Sequence, residues 1–489
     1  MSRGNIPPIA IRLRFGVTSA MHSLRPIAYI LLVSLTFSTI VPAASPVRQA
    51  AADLIIAGGT IVTMDGDRNV IENGAIVVKD GKILSIGKAA SVRGRAARQT
   101  INASGKVIIP GLINTHTHIP MTLFRGISDD LDLNDWLTKY IFPAEAKNVN
   151  EAFVRAGTRL GLAEMVRGGT TTYCDMYYFE DAIADETKKA GVRGVLGETI
   201  IDFPVPDNKT WEAGLAYTER FINKWKNDPL IVPAVAPHSP YTVSREHLLQ
   251  ARDLSNKTKA PLVIHLAEAN TETEFIQQKH QGQRPVEFIE KIGFFNDRTI
   301  AAHVVQANDA ELDLLKKHDV GIAHCPQSNM KLAAGTAPVP AMLRKGLRVG
   351  LGTDGAASNN DLNMWEEIDT AAKLHKLVSG DPKTLSAAEA FAMATIGGAR
   401  ALHMEDLIGS IESGKRADIV IVDMDALNQT PVYNVYSSLV YATKASDVRT
   451  VIINGRVVML DRRLLTLNEN AIKKSANAYR SKIIQSLAN

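Results

Sequence analysis

Cysteine is nearly absent. Cys174 and Cys325 are the only two in 489 residues, which permits at most one disulfide. Concentrated positive charge is missing as well. The net charge of 55 − 51 = +4 is not gathered into a basic run, so no nucleic acid is expected as a partner. There is no internal repeat and no low-complexity tract, and Gly58-Gly59 reads as a turn rather than a phosphate-binding loop. Nor is there an apolar stretch of membrane-spanning length. The one candidate, Ile27 to Val41, is short for a bilayer. Arg3, Arg12, Arg14 and Arg25 precede it, and Val41-Pro-Ala43-Ala44-Ser follows. Basic, then apolar, then small residues is the layout of a secretory signal peptide, here residues 1–44. A start at Met21 would shorten its basic region to a conventional few residues. The expectation is an exported protein, periplasmic or secreted, with no stable membrane insertion after cleavage. A misassigned N-terminal segment would instead leave the protein cytoplasmic. No Cys follows the apolar run, which excludes a lipid anchor there.

What is present is ordinary globular composition, 45% hydrophobic and 22% charged, enough for one large domain with a satellite. Over residues 45–109 short alternating strands (Asp53–Met64, Gly74–Val78, Lys82–Gly87) are separated by Asp65-Gly66 and Asp80-Gly81 hairpin signals. The same texture returns over 408–467, at Ala417–Val422 and Val448–Gly455. These two segments are expected to form one small β-sandwich, and residues 468–489 a C-terminal helix. Over 110–407, apolar strands alternate with helical patterns such as Ala152–Arg167 and Leu362–Leu377. The strands are Val107–Ile113, Thr170–Met176, Val192–Glu198 and Leu230–Ala236, then four runs ending at His265, His303, His324 and Asp354. Eight such units predict an α/β fold, a (β/α)8 TIM barrel. Cys174 and Cys325 fall on strands two and seven, so both are expected as free buried thiols.

The most informative stretch is Asn114-Thr-His116-Thr-His118, directly after the first apolar run. Residues two apart on a strand face the same way, so two imidazoles stand side by side. The strands ending in His265, His303 and Asp354 add further nitrogen and oxygen donors. In a barrel such groups collect at the strand C-terminal ends. Together they make a coherent metal-binding set, open enough to hold a water. It differs from the His/Cys/Cys signature of nucleic-acid deaminases. His318, His324, His375 and His403 show no partner pattern and read as structural, and Asn329 and Lys331 as residues that order the loop after strand seven.

The ordered motifs PGLINTHTH, HLAE, the His303 strand, SNMKL and GTDGAASNN resemble those of the amidohydrolase superfamily, over nearly everything after residue 53. Leu131-Asp-Leu-Asn-Asp-Trp136-Leu, Phe142-Pro-Ala-Glu145, Pro237-His238-Ser-Pro-Tyr241 and Asp354-Gly-Ala-Ala-Ser-Asn359-Asn resemble the 5′-methylthioadenosine/S-adenosylhomocysteine deaminases, relatives of the triazine hydrolases. The resemblance implies His116, His118, His265 and Asp354 as ligands of one Zn2+ per chain, with Fe2+ or another divalent metal also compatible. It implies Glu268 and His303 as catalytic residues and Glu145, His238 and Trp136 as substrate contacts. Binuclear superfamily members bridge two metals with a Lys on strand four; Leu230–His238 has none, so a single metal is expected. The segment 199–209 has no Arg to grip a substrate carboxylate, and Arg193 lies too early, which favours methylthioadenosine over S-adenosylhomocysteine.

A divalent metal lowers the pKa of a bound water to about 7. Deaminating an aminopurine also requires protonation of the ring and of the departing ammonia. Glu268, three residues past His265, suits proton delivery to the ring. His303 suits orienting or deprotonating the water, and Asp354 can accept the same proton. The expected activity is hydrolytic deamination of an adenosine-like nucleoside (5′-methylthioadenosine, S-adenosylhomocysteine or adenosine) by a protein that is a possible homo-oligomer. Two other functions fit the same sequence: hydrolysis of a triazine, pterin or other azaheterocycle, and ligand binding by a catalytically dead secreted scaffold.

Overall fold

The structure, a computed structural model, describes residues 51–487; the signal-like segment 1–44 lies outside the described residues. Five strands come first: β1 (Ala52–Val62), β2 (Val70–Lys79), β3 (Lys82–Lys88), β4 (Ala97–Asn102) and β5 (Lys106–Pro110). Eight follow, alternating with helices: β6 (Leu112–Thr117), β7 (Thr170–Tyr177), β8 (Arg193–Ile200), β9 (Ile231–Pro237), β10 (Leu262–Leu266), β11 (Thr299–His303), β12 (Gly321–His324) and β13 (Arg348–Leu351). The last four are β14 (Ile419–Asp423), β15 (Val448–Ile453), β16 (Arg456–Leu460) and β17 (Arg463–Leu464), and helix Glu469–Leu487 ends the described chain.

The outer strands form one nine-stranded mixed sheet, ordered β17-β16-β15-β14-β5-β1-β2-β3 with β4 beside β1. Its two ends come from opposite ends of the chain because β5 pairs with β14, Ile109 opposite Val420. Leu54, Ile56, Ile76, Ile108, Ile419 and Ile452 give it a core of its own. Asp80-Gly81 and Asn454-Gly455 turn the β2–β3 and β15–β16 hairpins with positive φ at both residues, the geometry that two-residue hairpin loops favour. Gly58-Gly59 is not a turn. It lies inside β1, where Gly58 at φ 96° sits at a shift in the β1–β2 register.

Strands β6 to β13 are all parallel and neighbour one another in chain order, the arrangement of a (β/α)8 barrel. Local signals fix the surrounding helices. Helix Glu151–Gly168 starts where the Asn150 side chain accepts from the Phe153 amide, and ends at Gly169 with φ 89°. The seam between β6 and β13 closes through Asn114, whose amide donates to Thr353 Oγ1 at 2.7 Å and whose oxygen accepts from Thr353 N at 3.0 Å. The Asp354 amide donates to the His116 carbonyl across the same seam at 3.0 Å. Gly352 permits this approach, since a Cβ there would lie 2.8 Å from His116 N.

One strand differs from expectation. The apolar run Val107–Ile113 is not a single barrel strand. Lys106–Pro110 belongs to the mixed sheet, and the first barrel strand is Leu112–Thr117. Pro110-Gly111 is the crossing point: the Gly111 amide donates to Asp418 O of the mixed sheet, and the next amide, Leu112, donates to Gly169 O beside the barrel. Both halves are buried, so the sequence shows one uninterrupted apolar run. Cys174 and Cys325 are both free and buried. Among the described residues no helix is long and apolar enough to cross a membrane.

Candidate metal centre and active-site cavity

His116 lies on β6 and His118 just past its end. His265 is on β10, His303 ends β11, and Asp354 follows β13 by three residues. Four of these groups converge on one point. His116 Nε2 and His118 Nε2 lie 3.4 and 3.2 Å from Asp354 Oδ1, and His265 Nε2 lies 3.3 Å from His118 Nε2. Ligands held about 2.1 Å from a tetrahedral divalent ion stand about 3.4 Å apart, so the set has the spacing of a coordination shell. Nε2 of fully buried His116, the nitrogen that faces the centre, lacks a hydrogen-bond partner, a place a bound cation would fill. The outer nitrogens are fixed: His118 Nδ1 bonds the Met176 carbonyl, and His265 Nδ1 bonds the His238 carbonyl at 2.8 Å. With Nδ1 donating, each Nε2 presents its lone pair to the centre. Asp354 Oδ2 is turned away and accepts from Ser328 Oγ at 2.7 Å and Ser358 Oγ at 2.8 Å.

The fifth group, His303, joins His116 and His265 in a second, overlapping triad of nitrogen donors. Its Nε2 faces Glu268 Oε1 at 3.7 Å, and its Nδ1 meets the Asn329 amide at 3.1 Å. Above the cluster opens a cavity of about 540 Å³. Its walls include Trp136, Glu145, Tyr177, His238, Tyr241 and Glu268. Every site residue expected from the sequence except His116, which forms the floor beneath, therefore lines one cavity.

Residues 107–458 match the model of the amidohydrolase family. The chain belongs to that family. It is 47% identical to a 5-methylthioadenosine/S-adenosylhomocysteine deaminase of Syntrophobacter fumaroxidans over 426 residues, 87% of this chain and 97% of that one. Its fold superposes on the crystal structure of an adenosine deaminase from Xanthomonas campestris with bound zinc, with a TM-score of 0.87 and 40% identity over 89% of this chain and 99% of that one. The fold is shared with an atrazine chlorohydrolase from Arthrobacter aurescens complexed with zinc, with a TM-score of 0.81 and 24% identity over 87% of this chain and 99% of that one.

Within this amidohydrolase, burial sets the charge of the polar walls. Burial, reinforced by the Asp354 carboxylate, raises Glu268 well above the usual carboxylate range, which favours its protonated form. Burial lowers His303 to about 3 and His238 to about 3, so both are neutral. Burial pushes Asp354 upward, but the facing imidazoles of His116 and His118 outweigh it and hold the carboxylate well below its ordinary value. Glu145 is raised to about 7 by burial, against the opposing pull of the Tyr177 hydroxyl. Trp136 Nε1 is buried without a partner. His238 Nδ1 bonds Thr242 Oγ1 at 2.9 Å.

Several residues of the amidohydrolase site escaped the sequence. Glu272 holds the segment that carries Glu268, accepting from Ala267 N at 2.9 Å and Glu268 N at 2.7 Å. An acid four residues after Glu268, at the start of helix Asn270–Lys279, is the signal that marks it. Ser328 and Ser358 lie inside the SNMKL and GTDGAASNN motifs, but no spacing rule singles them out. Asn329, assigned to loop order, instead reaches His303. Tyr177, beside Glu145, carries no sequence signal. Arg193 does lie too early to reach the cavity: it begins β8 and is bound to Asp418.

Proposed function

We propose that this chain is a metal-dependent aminohydrolase that converts an adenosine-like nucleoside, 5′-methylthioadenosine foremost, into its inosine analogue and ammonia. The observation that carries this proposal is the convergence of three imidazole nitrogens and one carboxylate oxygen beneath a buried Glu268. The names of relatives 40–47% identical over nearly nine-tenths of the chain support it. His116, His118, His265 and Asp354 would hold one zinc ion. When bound, such an ion supplies a hydrolytic water that ionises near neutral pH. Glu268 donates its proton to the purine ring nitrogen next to the attacked carbon, making that carbon electrophilic. His303, neutral and facing Glu268, holds the attacking water in line and relays its proton to the amino group, which leaves as ammonia. Glu145 and His238 receive the ribose, and Trp136 closes the cavity over the base. A ribose is favoured over a bare azaheterocycle because Glu145 Oε1, in the cavity wall, is buried without a hydrogen-bond partner, which a sugar hydroxyl would supply.

The test is ammonia release from 5′-methylthioadenosine and adenosine by the zinc-loaded protein, alongside triazines and pterins. Turnover confined to the heterocycles would overturn the nucleoside assignment, and no turnover at all would leave only a binding scaffold. Elemental analysis is expected to find about one zinc per chain, lost in His265→Ala; two equivalents that persist against a weak chelator would refute the single-metal site. Export is proposed on the basic–apolar–small order of residues 1–44. N-terminal sequencing of protein from fractionated host cells checks it, and a cytoplasmic protein that retains Met1 or Met21 would overturn it.

A further inference from the structure

The groups that would carry the reaction are hidden from solvent. Glu145, His265, Glu268 and Asp354 are each no more than 5% exposed. A nucleoside reaches them only if a wall of the cavity moves aside. One segment, residues 133–148, supplies Leu133, Trp136, Leu137, Ile141, Phe142 and Glu145 to the lining. It is three helical pieces end to end. The middle one, Trp136–Ile141, is π-helical, a geometry that is rare and concentrates at functional sites. The outer side of the segment, at Asn134, Thr138, Lys139 and Tyr140, is open to solvent.

The last residues of this segment are tied to the C-terminal helix Glu469–Leu487. Asn148 Nδ2 donates to Ser486 Oγ at 2.7 Å, and Lys147 Nζ donates to the Ser486 carbonyl at 2.9 Å. Asn148 Nδ2 also reaches the carbonyl of Ala144, the neighbour of Glu145, at 2.9 Å. The Ser486 hydroxyl donates its own proton to Ile483 O at 2.8 Å, which leaves its lone pairs to Asn148. The helix itself is firmly seated. Glu469 pairs with Arg167 at 2.7 Å, the Tyr479 ring stands edge-on to Phe153 at 5.5 Å, and Ile472 and Ile483 are buried. Arg167 and Phe153 lie at opposite ends of helix Glu151–Gly168, so the C-terminal helix runs antiparallel along it. Its 19 residues, at 1.5 Å each, span about 28 Å and end beside the cavity wall. We propose that this helix is a strap: Ser486 latches residues 133–148 in the closed position and thereby sets how fast ligands enter and leave the cavity. That the ligand is a nucleoside rests on the function proposed above. Lys147 is exposed and the Asn148–Ser486 bond is only partly buried, so opening exchanges both bonds for water at small cost. The latch is made in the closed protein whether the cavity is empty or filled. Its loss therefore speeds entry and exit alike and leaves affinity unchanged.

Hydrogen–deuterium exchange on the full-length, zinc-loaded protein reads the latch directly. Ser486→Ala removes the hydroxyl and puts a better helix former in its place, so the helix itself is not weakened. Amides of residues 134–147 are expected to exchange about threefold to tenfold faster in that variant, with the rest of the chain unchanged. Ser486→Thr keeps the hydroxyl and is expected to restore the parent pattern. Asn148→Ala removes the other partner, and the double variant is expected to exchange no faster than Asn148→Ala alone. Stopped-flow binding of the deaminated product of 5′-methylthioadenosine, followed by tryptophan fluorescence, gives the second reading. In Ser486→Ala the association and dissociation rate constants are expected to rise by the same factor, with Kd within about twofold of the parent. Unchanged exchange in Ser486→Ala, or an increase spread evenly over the chain, would overturn the strap. So would a changed Kd at unaltered rates. If no nucleoside is deaminated and the product does not bind, the functional assignment falls, while the exchange result still decides the latch.

Discussion

Glu268 and Glu272 lie four residues apart and are both buried, yet they are asked to do opposite things. Glu272 accepts two backbone amides and holds the turn. Glu268 has burial pushing its pKa up and Asp354 pushing it further, which favours the form that carries a proton. Glu268→Gln keeps the size and the hydrogen-bonding capacity but has no acidic proton. It is expected to retain zinc and a similar KM while kcat falls by about 10²–10⁴-fold, as measured by ammonia release and elemental analysis. Deamination within about tenfold of the parent rate would move the proton to His303 or Asp354. Glu272→Gln supplies the contrast: it loses an acceptor for a buried amide, so the expected loss is in stability as well as rate.

Strand ends carry the chemistry, and the backbone there is under strain. Ala267 follows β10, His303 ends β11 and Asp354 follows β13, and all three adopt positive φ (52°, 72° and 59°), a region costly for any residue but glycine. Each costs about 1–3 kcal/mol, which the closed barrel sustains because the seam and the packed loops leave no alternative. Gly352→Ala tests the seam. The added Cβ would meet His116 N and O at 2.8 and 2.9 Å, so a loss of about 1–3 kcal/mol is expected in chemical denaturation, together with weaker zinc retention. A second element-scale test concerns pH. Glu186 joins helices Glu151–Gly168 and Glu180–Ala190 through Arg159 at 2.6 Å and Arg155 at 3.1 Å. Burial raises its pKa, but Arg159, Lys189 and Arg155 more than offset this and hold it at about 2. A depressed pKa means stability present above the unfolded value of about 4.3 and lost as pH falls towards the folded one. The stability gap between parent and Glu186→Gln is therefore expected to be about 1–3 kcal/mol at pH 7 and to narrow between pH 5 and pH 3; a gap independent of pH would refute it. The helices Glu151–Gly168, Met364–Ser379 and Glu469–Leu487 and seven of the barrel strands were legible in the sequence because apolar periods and turn signals are local. The first strand was not, since Val107–Pro110 and Leu112–Ile113 are equally apolar and only pairing partners more than 50 residues away separate them. Ser328 and Asn329 were illegible as support residues for the same reason: they act 26 residues away in sequence, on Asp354 and His303.

At the scale of the whole molecule, the mixed sheet and the barrel share a buried ion pair. Arg193, the first residue of β8, donates to Asp418 Oδ2 from Nε at 3.2 Å and from Nη2 at 3.1 Å, and its Nη1 reaches Pro229 O at 2.9 Å. Asp418, just ahead of β14, also accepts from Asn454 N at 2.6 Å. The pair sits at the N-terminal face of the barrel, while every candidate site residue sits at the C-terminal face. Barrels of this kind separate stability from catalysis along that axis. Arg193→Met would leave a carboxylate buried without its cation, and removing one partner of a buried pair costs about 3–5 kcal/mol. Arg193→Met/Asp418→Leu removes both charges and is expected to recover much of that loss. If the two faces are independent, both variants keep kcat on 5′-methylthioadenosine and one zinc per folded chain at 25 °C, while the single variant alone unfolds at markedly lower urea. A fall in kcat that tracks the fall in stability would instead show that the mixed sheet holds the metal ligands in place through β6, whose first residue follows Asp418's contact with Gly111 by a single position.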